Sequence, residues 1–540
     1  MKLKKLLSLG LAMSIAMGSL AGCSSTKEQG EKGKDKVVSQ ENRVFDVLKQ
    51  AGGTDWGMPN PYQHNSRGPG TERLNLVFDT LLEKDEEGII PWSAEKWSAE
   101  GNTYKFTLRD GLKFHDGEDV TSEDIAFSLD YYKEKPPVND SLRLNGEFIV
   151  DNYKVVDSKN IEITVKENLA TTIDKIGFFR ILPKHIWEKV EDPTTFVDKE
   201  AFIGSGPYKF SSYDAASGSY EFIAFDGYKN ATPASKKIQY VPVSDEVLAF
   251  ENKEIDMLSC PPDLAEKYSK DDNYKVIKSP AVWGYRLMLN MDKVEMFKKT
   301  ENRQAMYHAM NREDYLQKIF RGEGVVANAA FLSPEGKYYN ENVKKYEYDL
   351  KKSKSLIKDS VDVGLLCENK PEEIKLAELI KADLAKIGIN ITIKSVDMKV
   401  RDQYVREGNY EIALIGNGGW GGDPDLLRGI YQAKQNKDKG NNKQEQSKKG
   451  GKGNPLSMTV KGYTNDKINE LCNKQLKELD KDKRKELTDE LQFEISKEVP
   501  VLPLICNRSI NVYRTDGYNK WMMTDSNPFL SQNKLSYINR

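Results

Sequence analysis

The hydrophobic positions of this chain switch between two periods, and the switches mark its elements. Tyr104, Phe106 and Leu108 alternate with polar residues as a half-buried strand does, and Asp110-Gly111 reads as a two-residue hairpin turn ahead of Leu112 and Phe114. Thr121, with Asp124 three residues on, forms a capping box that opens a helix. The clearest unit starts at strand Val361–Leu366. A helix follows from Pro371 with Ile374, Ala377, Ile380, Leu384 and Ile387 on one face, then Gly388, then the alternating Ile389, Ile391 and Ile393. Proline at the start and glycine at the end of the helix make this a β-α-β unit. Such units place ligands beyond the carboxyl ends of their strands. Glu411 to Ile415 reads as a further buried strand. The repeated alternation of period predicts a mixed α/β protein.

The N-terminus predicts where the protein works. Lys2, Lys4 and Lys5 precede an apolar run from Leu6 to Met17, and small residues follow at Leu20-Ala21-Gly22-Cys23. So short a run is a signal peptide and not a membrane span. Leu-Ala-Gly-Cys resembles a bacterial lipoprotein cleavage box, which implies that Cys23 is diacylated and becomes the mature N-terminus after residues 1–22 are removed. The alternative is an ordinary secretory signal with a chance cysteine. Residues 23–42 carry almost no apolar content and read as a flexible tether.

Composition narrows the function. A chain of 540 residues exceeds the size of one core, so two or three lobes are expected. The formal charge of −2 becomes −5 when the three lysines of residues 1–22 are removed, which gives no electrostatic reason to expect nucleic acid. Cys260, Cys367, Cys472 and Cys506 are widely spaced, which fits four buried free thiols or one disulfide and no zinc ribbon. G-x-S-x-G, Walker and H-E-x-x-H patterns are absent, and His64, His115, His185 and His308 are scattered, so the sequence points away from an enzyme and from a protein metal cluster.

Six motifs in a fixed order carry a family resemblance from about Thr71 to Arg514. The stretch Tyr104 to Ile125, with Phe114-His115-Asp116-Gly117 at its centre, resembles "YTFxLRxGVKFHDGxxxTAxDV". Phe78-Asp79-Thr80-Leu81-Leu82 with Glu95-Lys96-Trp97, Gly204-Ser205-Gly206-Pro207-Tyr208, Ala249 to Asp256, Arg303 to Arg312, and Gly462-Tyr463-Thr464-Asn465 follow the same pattern. Together they resemble the peptide- and nickel-binding extracytoplasmic solute receptors of ABC importers, solute-binding protein family 5. The resemblance implies a type II periplasmic-binding-protein fold with two large lobes, a hinge and an extra middle lobe. The implied base lobe covers 43–76, 200–288 and 507–540, the middle lobe 77–199, and the closing lobe 289–506, with strands near 282–290 and 500–507 as the hinge. From Lys434 to Pro455 seven lysines and two acids stand among Gln, Asn and Gly, which departs from the family and reads as a mobile surface loop.

Candidate binding residues cluster in three places. Asn417-Gly418-Gly419-Trp420-Gly421-Gly422-Asp423-Pro424-Asp425 offers backbone for close approach, Trp420 as an apolar wall, and Asp423 or Asp425 as a carboxylate. It resembles the family's "WxxDyPDP" segment, in which an aspartate pairs with the ligand's α-amino group; position after Trp420 favours Asp423. A plain Gly/Asp/Pro turn is the structural alternative. Trp283 and Tyr285 either line the cleft or pack in a core, since they alternate with Leu287 and Leu289. Tyr62, His64 and Arg67 lie in an early loop that meets the ligand in the family. The resemblance implies a monomeric, membrane-tethered receptor without a cofactor, which captures short peptides and delivers them to a permease and its ATPase. A metal-chelate receptor, an oligosaccharide receptor and an adhesion or signalling lipoprotein are the alternatives.

Overall fold

The computed structural model describes residues 44–358, 360–432, 459–524 and 529–540. The expected signal peptide, Cys23, the tether and the 434–455 insert lie outside the described residues. Three sheets organise the part that positions the site. Phe45–Gly52, Ser235–Pro242, Ser219–Ala224 and Tyr208–Asp214 form a four-stranded sheet in that order, its first pair parallel and the others antiparallel. A second four-stranded sheet runs Ala94–Glu100, Thr103–Leu108, Asn160–Val165, Val150–Val155, all antiparallel. The third has six strands in the order Gly324–Val326, Val501–Asn507, Trp283–Leu289, Ile412–Asn417, Val361–Glu368, Ile389–Val396.

The expected β-α-β unit is present, with strand Val361–Glu368, helix Pro371–Ala385 and strand Ile389–Val396. Its strands are parallel, with Val361 opposite Ile389. Tyr104, Phe106 and Leu108 are buried while Lys105 is exposed, as strand alternation requires. Asp124 accepts a hydrogen bond at 2.9 Å from the Thr121 backbone N–H and opens helix Ser122–Glu134. One expectation is corrected: Gly111 turns the chain at φ 71°, but the following segment does not pair back on Thr103–Leu108. That strand already has both neighbours, so Lys113 bridges Asp119 instead.

Two of the motifs meet in space. The His115 backbone N–H donates to the Gly204 carbonyl at 2.8 Å, the Gly204 N–H donates to His115 Nδ1 at 3.3 Å, and His115 Nε2 lies 3.0 Å from the Gly206 carbonyl. With Nδ1 accepting, Nε2 carries the proton and the ring is neutral. A Cβ on Gly204 would stand 2.1 Å from the Val77 carbonyl oxygen, and one on Gly206 2.5 Å from that of Leu76. Glycine is therefore required where this turn meets the end of helix Gly68–Val77.

The first two sheets share one apolar core, in which Leu48, Tyr208 and Phe222 join Phe106, Ile125 and Ile161. The six-stranded sheet has its own core, including Leu287, Leu365, Leu414 and Leu502. A smaller core joins Phe250, Leu258 and Tyr268 to Ile510 and Val512. The first two sheets thus form one packed body, and the six-stranded sheet is the centre of another. Buried Lys534 pairs with Asp79 at 2.8 Å and Glu83 at 2.6 Å, fastening the C-terminal segment to the shared body. Burial opposes the charge on Lys534, but these two carboxylates outweigh it and hold the ammonium above its usual range.

The expected boundary at 288 and the expected hinge strands are corrected. Trp283–Leu289 lies between Val501–Asn507 and Ile412–Asn417, inside the closing lobe's sheet. Flanked by a strand on each side, every residue from Gly284 to Leu289 is buried, Arg286 included, whose guanidinium is held by Asn417. The chain crosses between the bodies just outside these strands. The Ser279 N–H donates to the Ser509 carbonyl and the Ser509 N–H donates to Ser279 Oγ, each at 2.9 Å. Glu335 accepts from the Ala281 N–H at 2.8 Å and from Arg508 Nη1 at 2.9 Å, so both crossings are tied to one side chain.

Burial depresses the pKa of His115 to about 4. The folded state therefore binds this proton less readily than the unfolded chain, whose histidine titrates near its ordinary 6.5. Stability is then complete above pH 6.5 and falls by up to about 3 kcal/mol from this group as pH drops to 4. Unfolding followed by circular dichroism should show that decline, with a shallower slope in His115→Gln; identical slopes would contradict the assignment.

Candidate functional site

A cavity of about 730 Å³ lies between the two bodies, within the range of small-molecule sites. Arg67, Gly68, Cys260 and Pro262 line it from the base, and Trp283, Tyr285, Phe320, Lys370, Glu372, Asn417 and Gly418 from the closing lobe. Several of these sit at the carboxyl ends of strands. Lys370 and Glu372 follow Val361–Glu368, and Asn417 ends Ile412–Asn417. Tyr285 faces Gly416 across the antiparallel pair, where a Cβ would come within 2.7 Å of its ring and 3.0 Å of Trp283 Nε1. Glycine at 416 is what makes room for these two aromatics. Trp283 also meets Phe529 edge-on at 5.5 Å, and Tyr285 packs on Phe320 at 5.4 Å.

Both sides of the cleft are bridged, so the arrangement is closed. Arg67 Nε donates to Asp402 at 3.1 Å and Lys399 pairs with Asp55 at 3.4 Å on one side. On the other, Ala170 N–H donates to the Leu476 carbonyl at 2.9 Å and Lys477 pairs with Glu167 at 2.7 Å. Asp402 belongs to a buried network. Its second oxygen accepts from Arg401 Nε at 2.9 Å, Arg401 reaches Glu368 at 3.1 Å, and Lys370 pairs with Glu368 at 2.9 Å. Burial works against the Arg401 charge, but Glu373, Asp402 and Glu368 raise its pKa above the ordinary value. Burial, then the charges of Glu373 and Glu372, push the Tyr285 phenol above its usual range.

Of the residues expected from sequence, the cavity brings together Trp283, Tyr285 and Arg67. The others are placed elsewhere. Trp420 is fully buried against Phe331, with its Nε1 donating to the Asn417 carbonyl at 2.9 Å, so it supports the wall from behind. Asp423 does not line the cavity, and its two oxygens each accept from Arg484 at 2.7 Å. Asp425 is likewise engaged, by Arg428 at 2.6 and 2.7 Å. Arg428 stands one turn after Asp425 in helix Asp425–Tyr431, and Arg484 reaches Asp423 from helix Lys481–Glu498, so both carboxylates are engaged within the closing lobe. Tyr62 is buried on Tyr131 and Trp187 and donates to the Lys135 carbonyl at 2.6 Å. His64 is buried, its Nδ1–H donates to the Asn60 carbonyl at 2.9 Å, and burial depresses its pKa to about 4.

His64 lines a second cavity of about 920 Å³, with Tyr132, Arg143 and Arg180. Base and middle residues alone form its wall, and they share a core, so lobe closure does not shape it. The smaller cavity is therefore the candidate ligand site. Sequence reasoning missed Lys370 and Glu372, although the β-α-β unit had already marked the end of that strand as a ligand position. The four cysteines beyond Cys23 are free and buried. Among the described residues no group of three His, Cys, Asp or Glu side chains could hold a metal ion.

Two bodies joined by paired crossings around an interlobe cavity define a lobed solute receptor of the type II periplasmic-binding fold. The chain belongs to the bacterial extracellular solute-binding proteins, family 5, whose middle-region model matches residues 88–439. It is 25% identical over 440 residues to the dipeptide-binding protein DppE of Bacillus subtilis, covering 74% of this chain and 78% of that one. It is 25% identical over 385 residues to the nickel-binding periplasmic protein of Escherichia coli, covering 65% and 71%. The structure of DppA from Helicobacter pylori in complex with the peptide STSA superposes with a TM-score of 0.74 at 22% identity, over 92% of this chain and 98% of that one.

Because Asp423 serves Arg484, Asp423→Asn should lower stability by about 1 kcal/mol, allowing for its partial exposure, and leave ligand affinity unchanged. Denaturant melts and calorimetric titration of the same variant separate the two effects, and a loss of affinity without a loss of stability would return Asp423 to the binding site.

Proposed function

We propose that this chain is the receptor of an ABC importer that captures short peptides between its lobes and passes them to a permease driven by a separate ATPase. The observation that carries the reading is the cavity between bodies joined by two crossings and bridged on both sides. Its wall combines aromatic faces with main chain presented at Gly68 and Gly418. Main-chain contacts of that kind serve any peptide, while side chains occupy hydrated space. The family, and relatives named as dipeptide- and peptide-binding proteins, support the same reading. The chain works as a monomer without catalysis, outside the cytoplasm, held to the membrane by diacylated Cys23.

Closure follows from differential contact. Arg67–Asp402 and Lys399–Asp55 exist only when the lobes meet, and a ligand that touches both walls adds to them. A second reading, a metal-chelate receptor, is favoured by the nickel-binding relative. The metal would then bring its own ligands, since the described residues hold no cluster for one.

Native mass spectrometry of the gently purified full chain is expected to show adducts spread over short-peptide masses. A single adduct with a transition-metal isotope pattern would replace the peptide reading with the chelate one. Cys23→Ala should move the chain from the membrane to the soluble fraction; retention at the membrane would contradict the lipid anchor.

A further inference from the structure

We propose that Glu372 is the specificity-determining residue of the interlobe cavity and receives a positively charged group of the ligand, an ammonium above all. This inference rests on the peptide-receptor reading and adds to it the charge of the preferred ligand.

Five charged side chains line the cavity: Arg67, Glu323, Lys370, Glu372 and Arg508. Four of them are already paired within the protein. Arg67 is held by Asp402, Glu323 by Lys278 at 2.5 Å, Lys370 by Glu368 at 2.9 Å, and Arg508 by Glu335. Among the described residues only Glu372 of this set has no ion pair or hydrogen bond. The lining therefore carries one uncompensated negative charge. It is half-buried in the first turn of helix Pro371–Ala385 and close enough to Tyr285 for its charge to act on that phenol.

The surroundings suit a cation. Tyr285, Trp283 and Phe320 present aromatic surface around the same space, where an ammonium or guanidinium gains from ring faces as well as from the carboxylate. A ligand carboxylate placed here would meet Glu372 with no free cation to offset it. With Asp423 and Asp425 engaged by arginines, Glu372 is the group left to recognise positive charge. The cation has two sources in a peptide, the free α-ammonium and a basic side chain.

The test is calorimetric titration of the full chain with three probes: tri-alanine, N-acetyl-tri-alanine and N-acetyl-Ala-Lys-Ala. Wild type should bind tri-alanine or the lysine peptide at least tenfold more tightly than N-acetyl-tri-alanine, and whichever binds more tightly identifies the source of the cation. In Glu372→Gln that preference should vanish with thermal unfolding unchanged, and Glu372→Lys should bind N-acetyl-tri-alanine best. Equal discrimination by wild type and Glu372→Gln would overturn the assignment while leaving the peptide receptor standing. Failure of wild type to bind any of the three would overturn the peptide reading and this inference with it.

Discussion

Everything in the site depends on the double crossing between the two bodies. Ser279 and Ser509 are hydrogen-bonded side by side, and Glu335 of the closing lobe reaches both crossing segments through Ala281 N–H and Arg508. Two short, cross-linked segments permit rotation of one body against the other and little translation. Strand Val501–Asn507 leads into one crossing and strand Trp283–Leu289 leads out of the other, and the two are neighbours in the six-stranded sheet. The cavity wall at Trp283 and Tyr285 is thus rigidly attached to the closing lobe while standing next to its pivot.

Charge then fixes how the bodies meet. The buried group of Arg401, Asp402, Glu368 and Glu373 would be one cation short of balance without a contribution from outside the lobe, even with Lys370 counted. Arg67, from the base, supplies it when the cleft is shut. Removing one partner from a buried ionic group costs more than the pair contributes, because the remaining charge is left without compensation. The same network holds Lys370 on Glu368 and so leaves Glu372 as the unpaired charge of the wall.

Much of this was legible in the sequence because it follows from local periodicity. The β-α-β unit, the capping box at Thr121 and strand Thr103–Leu108 need only hydrophobic spacing and end signals. Motif order was also informative, since His115 and Gly204–Gly206 turned out to be partners across the fold. What the sequence did not carry is which charge meets which. Asp423, Asp425 and Glu372 are chemically alike in the chain, and only the positions of Arg484 and Arg428 decide that two are occupied. Trp420 and Tyr62 lie away from this cavity for a related reason: an aromatic next to glycine or proline fits a cleft and a core equally well, and burial is settled by distant residues such as Phe331 and Trp187. The boundary at residue 288 slipped because the crossing is a property of sheet pairing, which no local pattern encodes.

The central claim is that ligand is held between the lobes. A tripeptide carrying a photoreactive phenylalanine analogue, cross-linked to the full chain and mapped by mass spectrometry, tests it most directly. Attachment within the walls formed by Trp283, Tyr285, Phe320 and Asn417 is the predicted result. Attachment confined to the second cavity, along Pro136 to Arg143 and at Phe178 to Arg180, would contradict it.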